Sequence, residues 1–86
     1  MKITYSKIAY VTCPSGILDE ITSSLNCIAE GDGQAVVNID TLTEWLNEEE
    51  NKDDISLYKF LVGIEKELDK EVKENGEQIG EVIFSS

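Results

Sequence analysis

The chain has 86 residues, with eighteen acids, seven lysines and neither arginine nor histidine, so its net charge is −11. This charge argues against direct binding to nucleic acid or to an anionic membrane, because both repel an acidic surface. The hydrophobic share of 41% is too high for a disordered acidic tail. No apolar run approaches the roughly 18 residues of a membrane span. We therefore expect residues 1–86 to form a single compact acidic domain.

The start of the chain and its two cysteines indicate a reducing compartment. The residues after Met1 lack the apolar segment of a secretory signal, so we expect a cytoplasmic location. Cys13 and Cys27 cannot form a zinc site by themselves in a chain without histidine, and we expect ordinary free thiols. No metal and no cofactor is expected.

The first predicted element is a strand at Lys2–Cys13, a segment rich in β-branched and aromatic residues. The large apolar residues change from odd to even positions near Ser6-Lys7. A bulge there, or a break into two short strands, would bring four large side chains onto one buried face: Ile3, Tyr5, Ile8 and Tyr10.

A helix should follow from Ser15, the predicted N-cap, to about Ala29. Its apolar side chains recur at helical spacing: Ile17, Leu18, Ile21, Leu25 and Ile28. Gly31-Asp32-Gly33 then forms a turn, because glycine adopts positive φ easily. Gln34–Ile39 is predicted to be a short buried strand.

Two helices and a last strand complete the chain. Thr41-Leu42-Thr43-Glu44 has the capping-box pattern, which predicts a short helix that begins after Thr41 and packs Trp45 inward. Asn51-Lys52-Asp53 interrupts this helix. Asp53 or Asp54 should cap a long helix that stops at Gly76, and Gln78–Ser85 should form the third strand.

The element order β-α-β-α-α-β predicts an α+β (or α/β) two-layer sandwich with a three-stranded sheet and helices on one or both faces. Trp45 is expected in the core. The other residues expected to be mostly buried are Ile21, Leu25, Val36, Val37, Leu61, Ile64, Leu68 and Ile83.

The acids are concentrated in the second half of the chain. Residues 1–39 have a net charge of −2, whereas residues 40–86 have a net charge of −9. The main predicted binding residues are Glu44, Glu48, Glu49, Glu50, Asp53 and Asp54. A secondary acidic patch is predicted at the far end of the long helix: Asp69, Glu71, Glu74 and Glu77. The alternative interpretation of both groups is a solvated surface that keeps the domain soluble.

Enzymatic functions lack the residues they need. The chain has no histidine for general base work and no glycine-rich phosphate loop. Consecutive carboxylates such as Glu48-Glu49 lack the separation that a glycosidase pair requires. We therefore expect no catalytic residue and no enzyme activity.

Three functions remain. The first is a small non-catalytic inhibitor, such as a phage anti-CRISPR or anti-restriction protein, whose carboxylates replace phosphates on a basic surface of a nucleic-acid-processing partner. The second is an immunity protein or antitoxin that neutralises a cationic nuclease toxin. The third is an acidic adaptor domain whose charge only confers solubility.

Overall fold

The computed structural model of the chain describes residues 6–76 and 78–86. Residues 2–5 of the predicted first strand and the acid Glu77 lie outside the described residues. The described elements are, in chain order, β1 Ser6–Thr12, α1 Ser15–Ser24, β2 Ala29–Gly31, β3 Gln34–Asn38, α2 Ile39–Asn47, a 3₁₀ helix Glu49–Asp53, α3 Ile55–Asn75 and β4 Gln78–Ser85.

The strands form one mixed sheet in the order β1-β4-β3-β2. β1 runs parallel to β4, whereas β3 is antiparallel to both of its neighbours. The three α-helices pack on one face of this sheet, where the buried side chains of the strands lie. The predicted α+β two-layer architecture is therefore confirmed, with the helices on a single face.

The prediction of three strands is wrong, because Ala29–Gly31 forms a fourth. It pairs with β3 through the two-residue turn Asp32-Gly33, whose φ angles are 52° and 74°. Two successive positive φ angles are typical of a type I′ turn, and Asp-Gly is one of its preferred sequences. α1 ends at Ser24 instead of Ala29, and the intervening residues carry the chain back to the sheet.

The predicted starts of the first two helices are displaced. Ser15 is the first residue of α1, and Pro14 is its N-cap. The Asp40 backbone N–H donates a hydrogen bond of 2.9 Å to Asn38 Oδ1, so α2 begins at Ile39. Asparagine is a better N-cap than threonine, and the predicted Thr41 cap lies inside the helix.

The boundaries of α3 agree with the sequence. Asp54 is the N-cap residue, although its side chain forms no capping hydrogen bond. Gly76 ends the helix in the left-handed conformation with φ 70°, and its N–H donates to the carbonyl of Val72. Both boundaries were predicted.

The core lies between the helices and the inner face of the sheet. Five of the residues predicted to be buried lie there: Ile21, Leu25, Val37, Leu61 and Leu68. Trp45 is 8% exposed and packs in the same core, which confirms its predicted place. Ile64 is partly buried and packs against this core, whereas Val36 and Ile83 are partly buried on the outer face of the sheet.

A bulge interrupts the pairing of β1 with β4. Lys7 pairs with Ile79 and Ile8 with Glu81, so Gly80 is the extra residue. The predicted irregularity therefore exists, but the additional residue is in β4. Glycine suits such a position because it has no side chain to place. The bulge leaves Ile79 on the inner face, where it is buried.

The buried face of β1 is the opposite of the predicted one. Ala9 and Cys13 are buried, whereas Ile8 is 40% and Tyr10 76% exposed. Alternation therefore places the two largest described apolar side chains of β1 on the outer face of the sheet.

Candidate partner-binding surface

The main predicted binding residues lie on consecutive elements of the helical layer. We call the following residues the acidic corner: Glu44, Glu48, Glu49, Glu50, Asp53 and Asp54. Glu44 is on α2, Glu48 is the C-cap residue of α2, and Asp54 is the N-cap residue of α3. The remaining three are on the 3₁₀ helix, which packs against both α2 and α3.

Hydrogen bonds hold the backbone of the acidic corner to the core. Asn51 Nδ2 donates to the carbonyl oxygen of Trp45 at 2.9 Å, and the N–H of Glu48 donates to the same oxygen at 3.3 Å. The N–H of Asn51 donates to Glu48 O, and the N–H of Asp54 donates to Asn51 O. Because Trp45 is itself buried, the charged segment is attached to the hydrophobic core.

The carboxylates of the acidic corner point to solvent. Five of the six residues are exposed, and Asp54 is half-buried. Lys52 Nζ lies 3.1 Å from Glu49 Oε1 and donates a hydrogen bond to it. This hydrogen bond and the charge of Glu49 raise the pKa of Lys52. Lys52 therefore neutralises one of the acids, and the corner keeps a strong negative charge.

Favourable interactions with helix dipoles account for the presence of some of the acids in the acidic corner. Glu49 and Glu50 lie in the first turn of the 3₁₀ helix, and Asp54 precedes the first turn of α3. Negative charge is favourable at a helix N-terminus by about 0.3–1 kcal/mol. Glu44, within α2, and Glu48, at its C-terminal end, gain nothing from this effect. Helix stabilisation alone therefore does not account for the whole cluster.

The secondary acidic patch is more nearly neutral than the corner. Asp69, Glu71 and Glu74 are exposed on the C-terminal half of α3, and Glu77 lies outside the described residues. Glu71 Oε1 lies 3.5 Å from Nζ of Lys7 on β1. Residues 65–74 contain five acids and three lysines, whereas residues 44–54 contain six acids and one lysine. The acidic corner thus has the stronger local field.

A second exposed surface was missed from the sequence. The strand register aligns Tyr10, Ile83, Val36 and Ala29 in one row across the outer face of the sheet. The relevant signal was the presence of apolar residues at both odd and even positions of the strands, as in Val82-Ile83-Phe84. Such runs are typical of strands that are buried on both faces.

Metal ligands and thiols are two kinds of group in this chain that could take part in chemistry. Within residues 6–76 and 78–86, no group of three or more Cys, Asp or Glu is arranged to hold a metal ion. Burial raises the pKa of Cys13, and burial together with the charge of Glu30 raises the pKa of Cys27. Raised pKa values keep thiols protonated and therefore weakly nucleophilic at neutral pH.

Comparisons with known proteins provide no relative. Neither a protein-family model, nor a curated protein sequence, nor a solved structure matches this chain significantly. Among the described helices, none is both long and apolar enough to cross a membrane.

Proposed function

We propose that this protein is a small non-catalytic inhibitor that binds a basic, nucleic-acid-binding surface of a partner protein through the acidic corner. The observation that carries the proposal is the exposed cluster of six acids and one lysine, attached to the core through the bond from Asn51 to Trp45. An anti-CRISPR or anti-restriction protein of a phage is the functional type that this surface fits.

The physical basis is the replacement of phosphates by carboxylates. A surface that binds nucleic acid presents lysines and arginines to a row of phosphates, and binding releases counterions. Carboxylates on adjacent helical turns are about 5.4 Å apart along the helix axis, which is of the same order as the rise of roughly 3.4 Å between successive phosphates of one strand. Because the backbone of the corner is hydrogen-bonded to the core before binding, little backbone conformational entropy is lost when the complex forms.

The proposed partner is a nucleic-acid-processing enzyme or complex, and the proposed place of action is the cytoplasm. The acidic chain would not contact nucleic acid directly, since like charges repel. A role without catalysis is supported by the lack of histidine and by the raised pKa values of both thiols.

Charge reversal in two matched sets tests the proposal. The first variant is Glu48→Lys/Glu49→Lys/Glu50→Lys in the acidic corner. The control is Glu67→Lys/Asp69→Lys/Glu74→Lys on α3, which changes the net charge equally and also replaces exposed residues. Glu71 is left unchanged because of its ion pair with Lys7. The assay is DNA binding and cleavage by a panel of CRISPR effectors and restriction enzymes.

The parent chain should inhibit at least one enzyme of the panel, and short duplex DNA should compete with it. Inhibition should weaken steeply when salt rises from about 50 to 200 mM, because the contacts are ionic. The corner variant should lose inhibition and the control should keep most of it. Equal inhibition by the parent and the corner variant would show that the acidic corner is only a solvated surface.

An immunity protein would bind through the same charge attraction but would recognise fewer partners. It would protect against one nuclease toxin and leave unrelated enzymes of the panel unaffected. A cationic nuclease toxin encoded directly beside this chain would favour that alternative. An acidic adaptor would bind its partner with little dependence on salt.

A further inference from the structure

The outer face of the sheet is an apolar surface opposite the helical layer. Its central row consists of Tyr10, Ile83, Val36 and Ala29 on four adjacent strands, with Ile8 beside it on β1. Tyr10 is 76% exposed, and Ile83 and Val36 are half-buried although they lie in the two central strands. The described helices cover only the other face, so no described helix lies over these side chains.

This face differs in charge from the rest of the molecule. The strand register places the following residues on it: Ile8, Tyr10, Thr12, Ala29, Gly31, Gln34, Val36, Asn38, Glu81, Ile83 and Ser85. Among these residues, Glu81 alone is charged, in a chain where 29% of all residues are charged. A face with a single charged group offers little to a charged partner but suits another nearly neutral sheet.

We propose that this face is a self-association surface, on which a second copy of the chain packs sheet against sheet. An interface related by a two-fold axis must be complementary to itself. When the two β4 strands run antiparallel and meet at Ile83, the Glu81 carboxylate of one copy faces Ser85 of the other. The Glu81 carboxylate therefore does not face the Glu81 carboxylate of the other copy, and the two apolar rows bury each other.

The negative charge of the two helical layers does not prevent this arrangement. Stacked sheets lie about 10 Å apart, and the helices of each copy would be on the far side of its own sheet. The two groups of helical carboxylates are then separated by more than the Debye length of about 8 Å at physiological salt. Added salt should therefore leave the dimer intact or strengthen it, which is the opposite of its effect on binding through the acidic corner.

The size of the face predicts a dimer in exchange with monomer. Four strands about 4.8 Å apart, with an average of about five residues of 3.3 Å in each, give a sheet face of roughly 300 Å². Stable interfaces commonly bury about 800 Å² on each partner. Self-association through this face alone should thus depend strongly on concentration. The inference does not rest on the inhibitor function, since it uses the opposite layer of the domain.

Sedimentation equilibrium of the full chain tests the proposal over about a hundredfold range of concentration, because self-association follows mass action. The weight-average mass should rise from the chain mass of 9.6 kDa toward twice that value. Tyr10→Thr keeps a strand-forming residue but removes the exposed ring, and it should raise the dissociation constant about tenfold or more. Ile55→Thr is the control, because Ile55 is 61% exposed on the helical layer.

The Ile55→Thr variant should dimerise like the parent, and raising the salt concentration should not dissociate the parent dimer. Circular dichroism confirms that both variants fold. A parent that stays monomeric at every concentration would overturn the proposal. Equal weakening by the two substitutions, or dissociation of the dimer by salt, would also overturn it. Neither result bears on inhibition through the acidic corner.

Discussion

Truncation of Leu61 tests the packing of the helical layer against the sheet. Leu61 lies within α3 and is fully buried. Its replacement by alanine removes apolar contacts and leaves a cavity, which costs about 3–5 kcal/mol where the surroundings cannot collapse. At about 0.05–0.15 kcal/mol per residue, the whole domain should have a free energy of unfolding of about 4–13 kcal/mol. The variant should therefore lose a large fraction of its stability.

Urea unfolding measures this loss, and the fluorescence of the buried Trp45 reports it, since the chain has a single tryptophan. The Tm should fall by more than about 12 °C, because 1 kcal/mol corresponds to about 4–8 °C in a domain of this size. The control is Ile55→Ala on the same helix, which should change the free energy of unfolding by less than about 0.5 kcal/mol. A loss below about 2 kcal/mol for Leu61→Ala, or equal losses for both variants, would refute this account of the core.

Two further predictions concern the acidic corner and the thiols. Asn51→Ala removes the hydrogen bond to the Trp45 carbonyl but no charge, so it should cost about 0.5–1.5 kcal/mol in urea unfolding and weaken inhibition less than the triple reversal. Unchanged stability would mean that this bond does not hold the segment. Burial raises the pKa of Cys13 and Cys27 in the folded chain above the usual 9.0. As pH rises above 9, the thiols of the unfolded chain therefore ionise at lower pH than those of the folded chain, and the free energy of unfolding should fall. Replacing both cysteines by alanine should reduce this fall, and an unchanged pH dependence would contradict the assignment.

Strong local signals made much of the fold predictable. The long apolar stripe of α3 and the stop at Gly76 specify a helix without help from distant residues. The start of α2 was harder, because Asn38 competes with Thr41 for the N-cap and the outcome depends on where β3 leaves the sheet. The second strand was missed because its three residues are too short to show alternation. The Asp32-Gly33 pair was the available signal for that hairpin.

The inner and outer faces of the sheet could not be assigned from the sequence. Ile8 and Tyr10 are larger than Ala9, so a rule based on side-chain size places the wrong face inside. The choice depends on the partner strand, where the bulge at Gly80 sets the alignment of β4 with β1. The pairing of β1 with β4 joins distant parts of the chain, so no local sequence pattern predicts it.

The acidic corner was predictable as a segment but not as a surface. The sequence places Glu48, Glu49 and Glu50 together, and their exposure follows from their charge. It does not indicate the bond from Asn51 to Trp45, because a polar residue in a charged loop normally faces water. The neutral face of the sheet was not predicted either, since its residues come from four separate segments.

The position of β4 has a consequence for how the domain assembles. This strand joins β1 to β3, yet it is the last of the four to be synthesised. Until it is in place, β1 has no neighbour among the described strands, and only the β2–β3 hairpin can form by local pairing. Contacts between residues as distant as Ser6 and Gln78 give the sheet a high contact order, which slows folding. Cooperative folding should therefore begin only after residues 78–85 have been made, and a nascent chain that lacks them should remain sensitive to proteases.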